Sequence, residues 1–156
     1  MRKLILRISV TMDGFIESSD SKIDFSKSRS PEGAAWLAES MGQAGAILMG
    51  RKAFCQLASF WPTASGALAQ HMNDIPKIVF SRNGFDPSQA TNAKGWVDAK
   101  VIMGDLAEGI AELKKQPGKD LVANGGVEFA QNLVQTGLID EFWLATHPIA
   151  AGSGAG

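Results

Sequence analysis

Three short stretches carry residues that can hold an anion: MGRK at 49–52, SR at 81–82 and NGG at 124–126. Gly50 and the pair Gly125 and Gly126 stand where an apolar run stops and a helical pattern begins. The N–H groups of a helix's first turn lack intrahelical acceptors and lie at the positive end of its dipole, which favours a phosphate there by about 0.3–1 kcal/mol. Glycine has no Cβ to keep that phosphate away from the backbone. Arg51 and Arg82 offer planar forks that bind phosphate bidentately, Lys52 adds charge, and the Ser81 hydroxyl adds a donor. Two phosphate sites and a cationic corner suit a dinucleotide, and an arginine free for an extra ribose phosphate would favour NADPH over NADH. Each feature also has a plain structural reading. A Gly-Gly seam can be a tight turn, and an arginine after a strand can be a solvated end. The glycine pair does not complete a GxGxxG fingerprint, and no P-loop pattern is present. It is the recurrence of one chemistry at three strand ends that points to a cradle.

The elements that must position these residues follow from the periodicity of apolar residues. Strand character is predicted at 3–10, 46–49, 77–80, 101–103, 120–123 and 139–147. Ser30 followed by Pro31 is a helix start, and the pattern predicts a helix over 31–41. Further helices are predicted near 52–59 and 68–73, from Leu106 to a stop at Pro117 and Gly118, and from 127 to about 137. A polar segment at 11–30 and a Gly, Pro and Asn-rich loop at 83–95 lie between them, and the tail AAGSGAG is expected to add no further strand. Alternating strands and helices predict an α/β sheet with helices on both faces, where ligands bind outside the carboxyl ends of the strands.

With 156 residues, the chain is expected to form one domain over 1–156 and to bury about 68–70% of its unfolded surface, without a metal or disulfide staple. The single cysteine, Cys55, excludes an internal disulfide and fits a reducing compartment; its apolar neighbours in FCQLASF suggest a packed residue. A formal charge of −1 gives no electrostatic reason to expect nucleic acid, so a small-molecule ligand is expected. The start, MRKLILRISV, is cut by Arg7 and Asp13 before it is long enough for a signal peptide or a membrane span, which suggests a cytoplasmic protein. Two histidines make no triad: His71 is expected to be exposed and His147 to be structural, and no metal-ligand cluster is evident.

Taken together, TMDGFIE at 11–17, ILMGRKAF at 47–54, FWP at 60–62, PKIVFSR at 76–82, the glycine seam and GLIDEFWLATHPIAAGSG at 137–154 resemble the dihydrofolate reductase-like family, in particular its RibD C-terminal domain branch. The similarity covers nearly the whole chain. It implies a three-layer sandwich with a mixed, mainly parallel sheet and helices on both faces, which binds NADPH and transfers hydride to a small heterocyclic or carbonyl-like substrate. By that resemblance Gly50, Arg51 and Lys52 would hold the pyrophosphate and the ribose phosphate, and Ser81 with Arg82 would flank the adenosine. Gly125, Gly126, Val127 and Phe129 would lie against the pyrophosphate and the nicotinamide ribose, while Ser9, Asp13 and Ile16 would border the nicotinamide. Asp13 would also lie near substrate, although an Asp-Gly turn explains it equally well.

Some positions depart from that pattern. Ala53 stands where the family often has threonine, so one hydroxyl donor is missing. Dihydrofolate reductases keep a carboxylate where this chain has Gly33; Glu32 is one position off, about 100° round the helix. The family also continues past GSG with closing strands. Hydride chemistry belongs to the cofactor, so an acid-poor pocket is tolerable, with the proton taken from water, Asp13 or Asp24. Trp61, in FWP, is a candidate to stack a substrate ring, although aromatic residues in such a domain mostly pack in the core. The alternatives to an NADPH-dependent reductase are an inactive nucleotide-binding or scaffold protein on the same fold and a riboflavin-pathway pyrimidine reductase. A homodimer through FWLATHPIA is a possible assembly.

Overall fold

The computed structural model describes residues 1–11, 17–18, 31–124, 127–147 and 154–155. Six strands form one sheet: β1 (Leu4–Thr11), β3 (Ala46–Gly50), β4 (Lys77–Phe80), β5 (Lys100–Ile102), β6 (Leu121–Asn124) and β7 (Glu141–His147), in the order β5-β4-β3-β6-β1-β7. All five pairings within it are parallel. Antiparallel pairing occurs between β2 (Glu17–Ser18) and β8 (Gly154–Ala155), so the tail does contribute a strand, contrary to the sequence expectation. Two residues paired with a segment at the far end of the chain leave no periodicity to read.

Side chains alternate across the sheet, and both faces are covered, which is why the central strands read as continuous apolar runs. In β3 the alternation sends Ile47 and Met49 to one face and Ala46 and Leu48 to the other, all buried. The first face receives α1 (Pro31–Gly42), α2 (Arg51–Phe60) and α3 (Ala67–Asp74) through Leu37, Met41, Phe54 and Met72. The second receives α4 (Leu106–Lys115) and α5 (Val127–Thr136) through Ile110, Leu113, Phe129 and Leu133. Each fully buried leucine or phenylalanine stabilises this packing by about 1.5–3 kcal/mol. Because α2 turns Ala53, Phe54 and Ala58 inward, Cys55 falls on the outer face and is exposed, not packed as its neighbours suggested. His71 is also less open than expected, half-buried against the end of α1, where a Cβ on Gly42 would stand 2.8 Å from its Nε2.

Two polar clusters hold the ends of the sheet opposite the cleft described below. Asp140 accepts hydrogen bonds from the Leu4 backbone N–H and from Lys114 Nζ, both at 2.8 Å, while Lys114 also donates to the Leu138 carbonyl at 3.0 Å. The Lys114 hydrogen bond, followed by that from Leu4, holds the Asp140 carboxyl below the usual carboxylate range. At the start of β4, the buried Lys77 donates to the Asn73 carbonyl at 2.6 Å and lies 4.4 Å from the centre of the Trp96 ring. Trp96 in turn donates to Asn73 Oδ1 at 2.7 Å. Gly95, with φ of 87°, lets the loop carry Trp96 into this corner, since a Cβ there would overlap the Asn73 carbonyl.

The chain order decides where a ligand can enter. β3 and β6 are neighbours, yet α2 leaves β3 on one face and α5 follows β6 on the other. This reversal opens a crevice at the carboxyl ends of the central strands.

Candidate functional site

A cleft of about 1500 Å³ occupies that crevice. On one wall, β3 ends at Gly50 and α2 begins at the next residue. Gly50 is the N-cap in an extended conformation, with φ −83° and ψ 170°, and no side chain accepts from the first turn of α2. Those N–H groups are therefore open to an external acceptor. Arg51 and Lys52 are exposed at the same point, and Ala53 lines the cleft behind them. A methyl added at Gly50 would stand 3.4 Å from Phe129 Cβ, an ordinary van der Waals distance, so the starts of α2 and α5 lie close together at this point.

The opposite wall is built by β6 and α5. Val127 and Phe129 line it, and the Phe129 ring stacks on Phe80 from the end of β4, centroids 5.8 Å apart at 26°. Ser81 and Arg82 follow Phe80 into the cleft; the Ser81 N–H donates to the Ile102 carbonyl at 3.0 Å, which extends the β4–β5 edge to this point. From β1 come Arg7, Ile8 and Ser9. Arg7 stands in register with Asn124 of β6 and donates to its Oδ1 at 3.2 Å, placing a cation and a buried amide at the centre of the sheet's carboxyl end. Gly104 to Ala107 close the far side at the start of α4, but that helix is already capped, since Asp105 accepts from the Ala107 N–H at 3.0 Å. Of these two helix starts, α2 is the one left open for an anion.

Among the described lining residues, four cations (Arg7, Arg51, Lys52, Arg82) face two carboxylates (Asp105, Glu128). In a chain of net charge −1 this local excess favours a polyanionic ligand.

The structure thus brings Ser9, Gly50, Arg51, Lys52, Ser81, Arg82, Val127 and Phe129 to one cleft. Asp13, Ile16, Asp24, Gly125 and Gly126 lie outside the described residues. Trp61 is not among the described residues that line the cleft; it packs with the α1–α3 face, edge-on to Phe60 at 4.9 Å. A 3-10 turn over Trp61–Thr63 follows α2, and Asn73 Nδ2 donates to the Trp61 carbonyl at 3.0 Å, which ties the turn to α3. The sequence reading missed Arg7, its pairing with Asn124, and the Gly104 to Ala107 corner. A cation interrupting the apolar run LILRISV was the available signal for Arg7.

The model of the RibD C-terminal domain family matches residues 2–156. YyaP, an uncharacterized protein of Bacillus subtilis (strain 168), is 30% identical over 155 residues, covering 98% of this chain and 78% of its own length. A Shewanella sp. PV-4 crystal structure named for riboflavin biosynthesis superposes with a TM-score of 0.70 at 25% identity, over 98% of this chain and 81% of that one. Dihydrofolate reductase from Enterococcus faecalis, solved with NADP(H) and RAB-propyl, shares the fold, with a TM-score of 0.53 at 14% identity over 98% of this chain and 75% of the enzyme. The three-layer α/β architecture is therefore of the dihydrofolate reductase-like type.

Proposed function

Since the chain belongs to the RibD C-terminal domain family, we propose that it is an NADPH-dependent reductase acting on a small heterocyclic substrate. The observation that carries this reading is the meeting of an uncapped helix start, two cationic strand ends, the Arg7 side chain of β1 and a stacked aromatic pair in one cleft at the sheet's reversal point. The nicotinamide supplies the hydride when bound. The chain's own residues bind and orient. Open N–H groups at the start of α2, with Lys52 beside them, would hold the pyrophosphate; Arg51 and Arg82 would take the ribose phosphate; the Ser81 hydroxyl would add a donor. Phe80 and Phe129 would form a floor that excludes water, and Arg7, Asn124 and Ser9 would border the reacting end. Asp13 and Asp24 are the candidate proton sources, with water as the third.

Calorimetric titration of NADPH and NADH into the wild type and Arg51→Ala tests the reading. The wild type is expected to prefer NADPH by about tenfold or more, and Arg51→Ala to lose most of that preference. Equal affinity for the two cofactors in the wild type, or no binding of either, would remove the basis for the proposal.

A second reading, a nucleotide-binding protein without turnover, draws on Ala53 and Gly33, which stand where the resemblance to the dihydrofolate reductase-like family leads one to expect a hydroxyl and a carboxylate. Both readings give tryptophan quenching by NADPH, but only an enzyme oxidises NADPH when an acceptor is added. Turnover of a ribosylaminopyrimidine phosphate would narrow the activity to a riboflavin-pathway pyrimidine reductase.

A further inference from the structure

Arg51 is the first residue of α2 and is exposed at the mouth of the cleft, yet its guanidinium carbon lies 5.2 Å from the centre of the Phe85 ring. Phe85 is half-buried in the loop after β4 and does not line the cleft. Its ring packs edge-on against Phe54, at 5.5 Å and 70°, and Phe54 is fully buried and lies 5.8 Å from Trp96. A chain of aromatic contacts therefore runs from the core of the α1–α3 face to the guanidinium. Arg82, on the neighbouring strand end, has no such ring contact among the described residues.

We propose that Phe85 is a positioning residue that holds Arg51 where it reads the 2′-phosphate of a phosphorylated dinucleotide, an inference resting on the function proposed above. An arginine at a helix start has many rotamers, and binding a phosphate with two parallel N–H donors requires one of them. The attraction between charge and ring restricts the side chain before the ligand arrives, while the donors at its edge stay available to phosphate oxygens. An exposed contact of this kind is worth about two- to fivefold in an equilibrium constant. Phe85 acts through Arg51 alone, so its effect should be confined to ligands that carry the 2′-phosphate.

The test uses two fragments, 2′,5′-ADP and 5′-AMP, titrated calorimetrically into the wild type, Phe85→Leu, Phe85→Tyr, Arg51→Ala and the Phe85→Leu/Arg51→Ala double variant. Phe85→Leu is expected to weaken 2′,5′-ADP binding by about two- to fivefold and to leave 5′-AMP unchanged. Phe85→Tyr keeps the ring and should keep the preference, and Phe85→Leu should change nothing once Arg51 is alanine. The proposal is overturned if Phe85→Leu weakens both fragments equally, if its effect persists in the Arg51→Ala background, or if 2′,5′-ADP binding is unaffected. A wild type indifferent to the 2′-phosphate instead overturns the underlying reading. Should Phe85→Leu fail to fold, Phe85→Met, which keeps an apolar side chain on Phe54 without a ring, is held to the same outcomes.

Discussion

Lys77 begins β4 with 2% of its surface exposed, and burial lowers its pKa to about 8 from an ordinary 10.5, against the opposing pull of Asp98 and Asp74. Below about pH 8 the folded and unfolded chains both carry the proton. Between about 8 and 10.5 the unfolded chain binds a proton that the folded chain does not, so stability rises with pH through that window. The full rise is on the order of 3 kcal/mol. Lys77→Met should therefore flatten the curve of unfolding free energy between pH 8 and 10.5, measured by urea denaturation; the chain contains no tyrosine to titrate there. A wild-type curve that falls in this window would mean that the Asn73 and Trp96 contacts hold the ammonium charged. At this scale the sequence revealed the cations that follow apolar runs, Arg51, Lys52 and Arg82, because their place at a strand end is local information. It could not reveal Arg7 with Asn124, since that pair exists only when residues 117 positions apart come into register. For Trp61 the converse holds: its motif is visible in the sequence, but the turn that carries it is tied to α3 by a hydrogen bond from Asn73 to its carbonyl, which the sequence does not show.

Helix starts show how elements divide the work of the cleft. α4 is closed by its own Asp105, whereas α2 begins after a glycine and has no side-chain cap. An aspartate at position 50 would meet no forbidden backbone angle, since φ is −83°, and its Cβ would make an ordinary contact with Phe129. Gly50→Asp should therefore leave thermal stability unchanged or raised by a few tenths of a kcal/mol, because aspartate is a better N-cap than glycine. Its carboxylate would occupy the N–H groups offered to phosphate, so ADP affinity should drop by about tenfold or more in calorimetry. Retained affinity in a folded Gly50→Asp protein would show that the start of α2 does not hold the anion. Most elements were legible because their apolar patterns are local: the strand at 77–80 matches β4, and the helix near 52–59 grows by one residue at each end into α2. The strand expected at 120–123 begins one residue later, because the Asp120 side chain is taken by the Lys3 N–H at 3.0 Å ahead of the first pairing, Leu4 with Leu121.

At the scale of the whole molecule, the cleft lies between helices that belong to opposite layers. α2 belongs to one face of the sheet and α5 to the other, and the starts of both line the cleft, where a Cβ on Gly50 would come within 3.4 Å of Phe129 Cβ. A dinucleotide lying across β3 and β6 would tie both layers to one rigid body, so its binding energy would appear as global stability. For a ligand at one hundred times its dissociation constant the linkage is about 2.7 kcal/mol. In a chain of this size each kcal/mol is worth about 2–4 °C, so NADPH should raise the melting temperature by about 5–10 °C. NADH at the same concentration should raise it by less. Hydrogen exchange gives the spatial half of the prediction: amides 51–53 and 127–129 should slow together when NADPH is added. Protection of one group without the other would mean that no single ligand spans the crevice, and the dinucleotide reading would then fail even if the melting temperature rose.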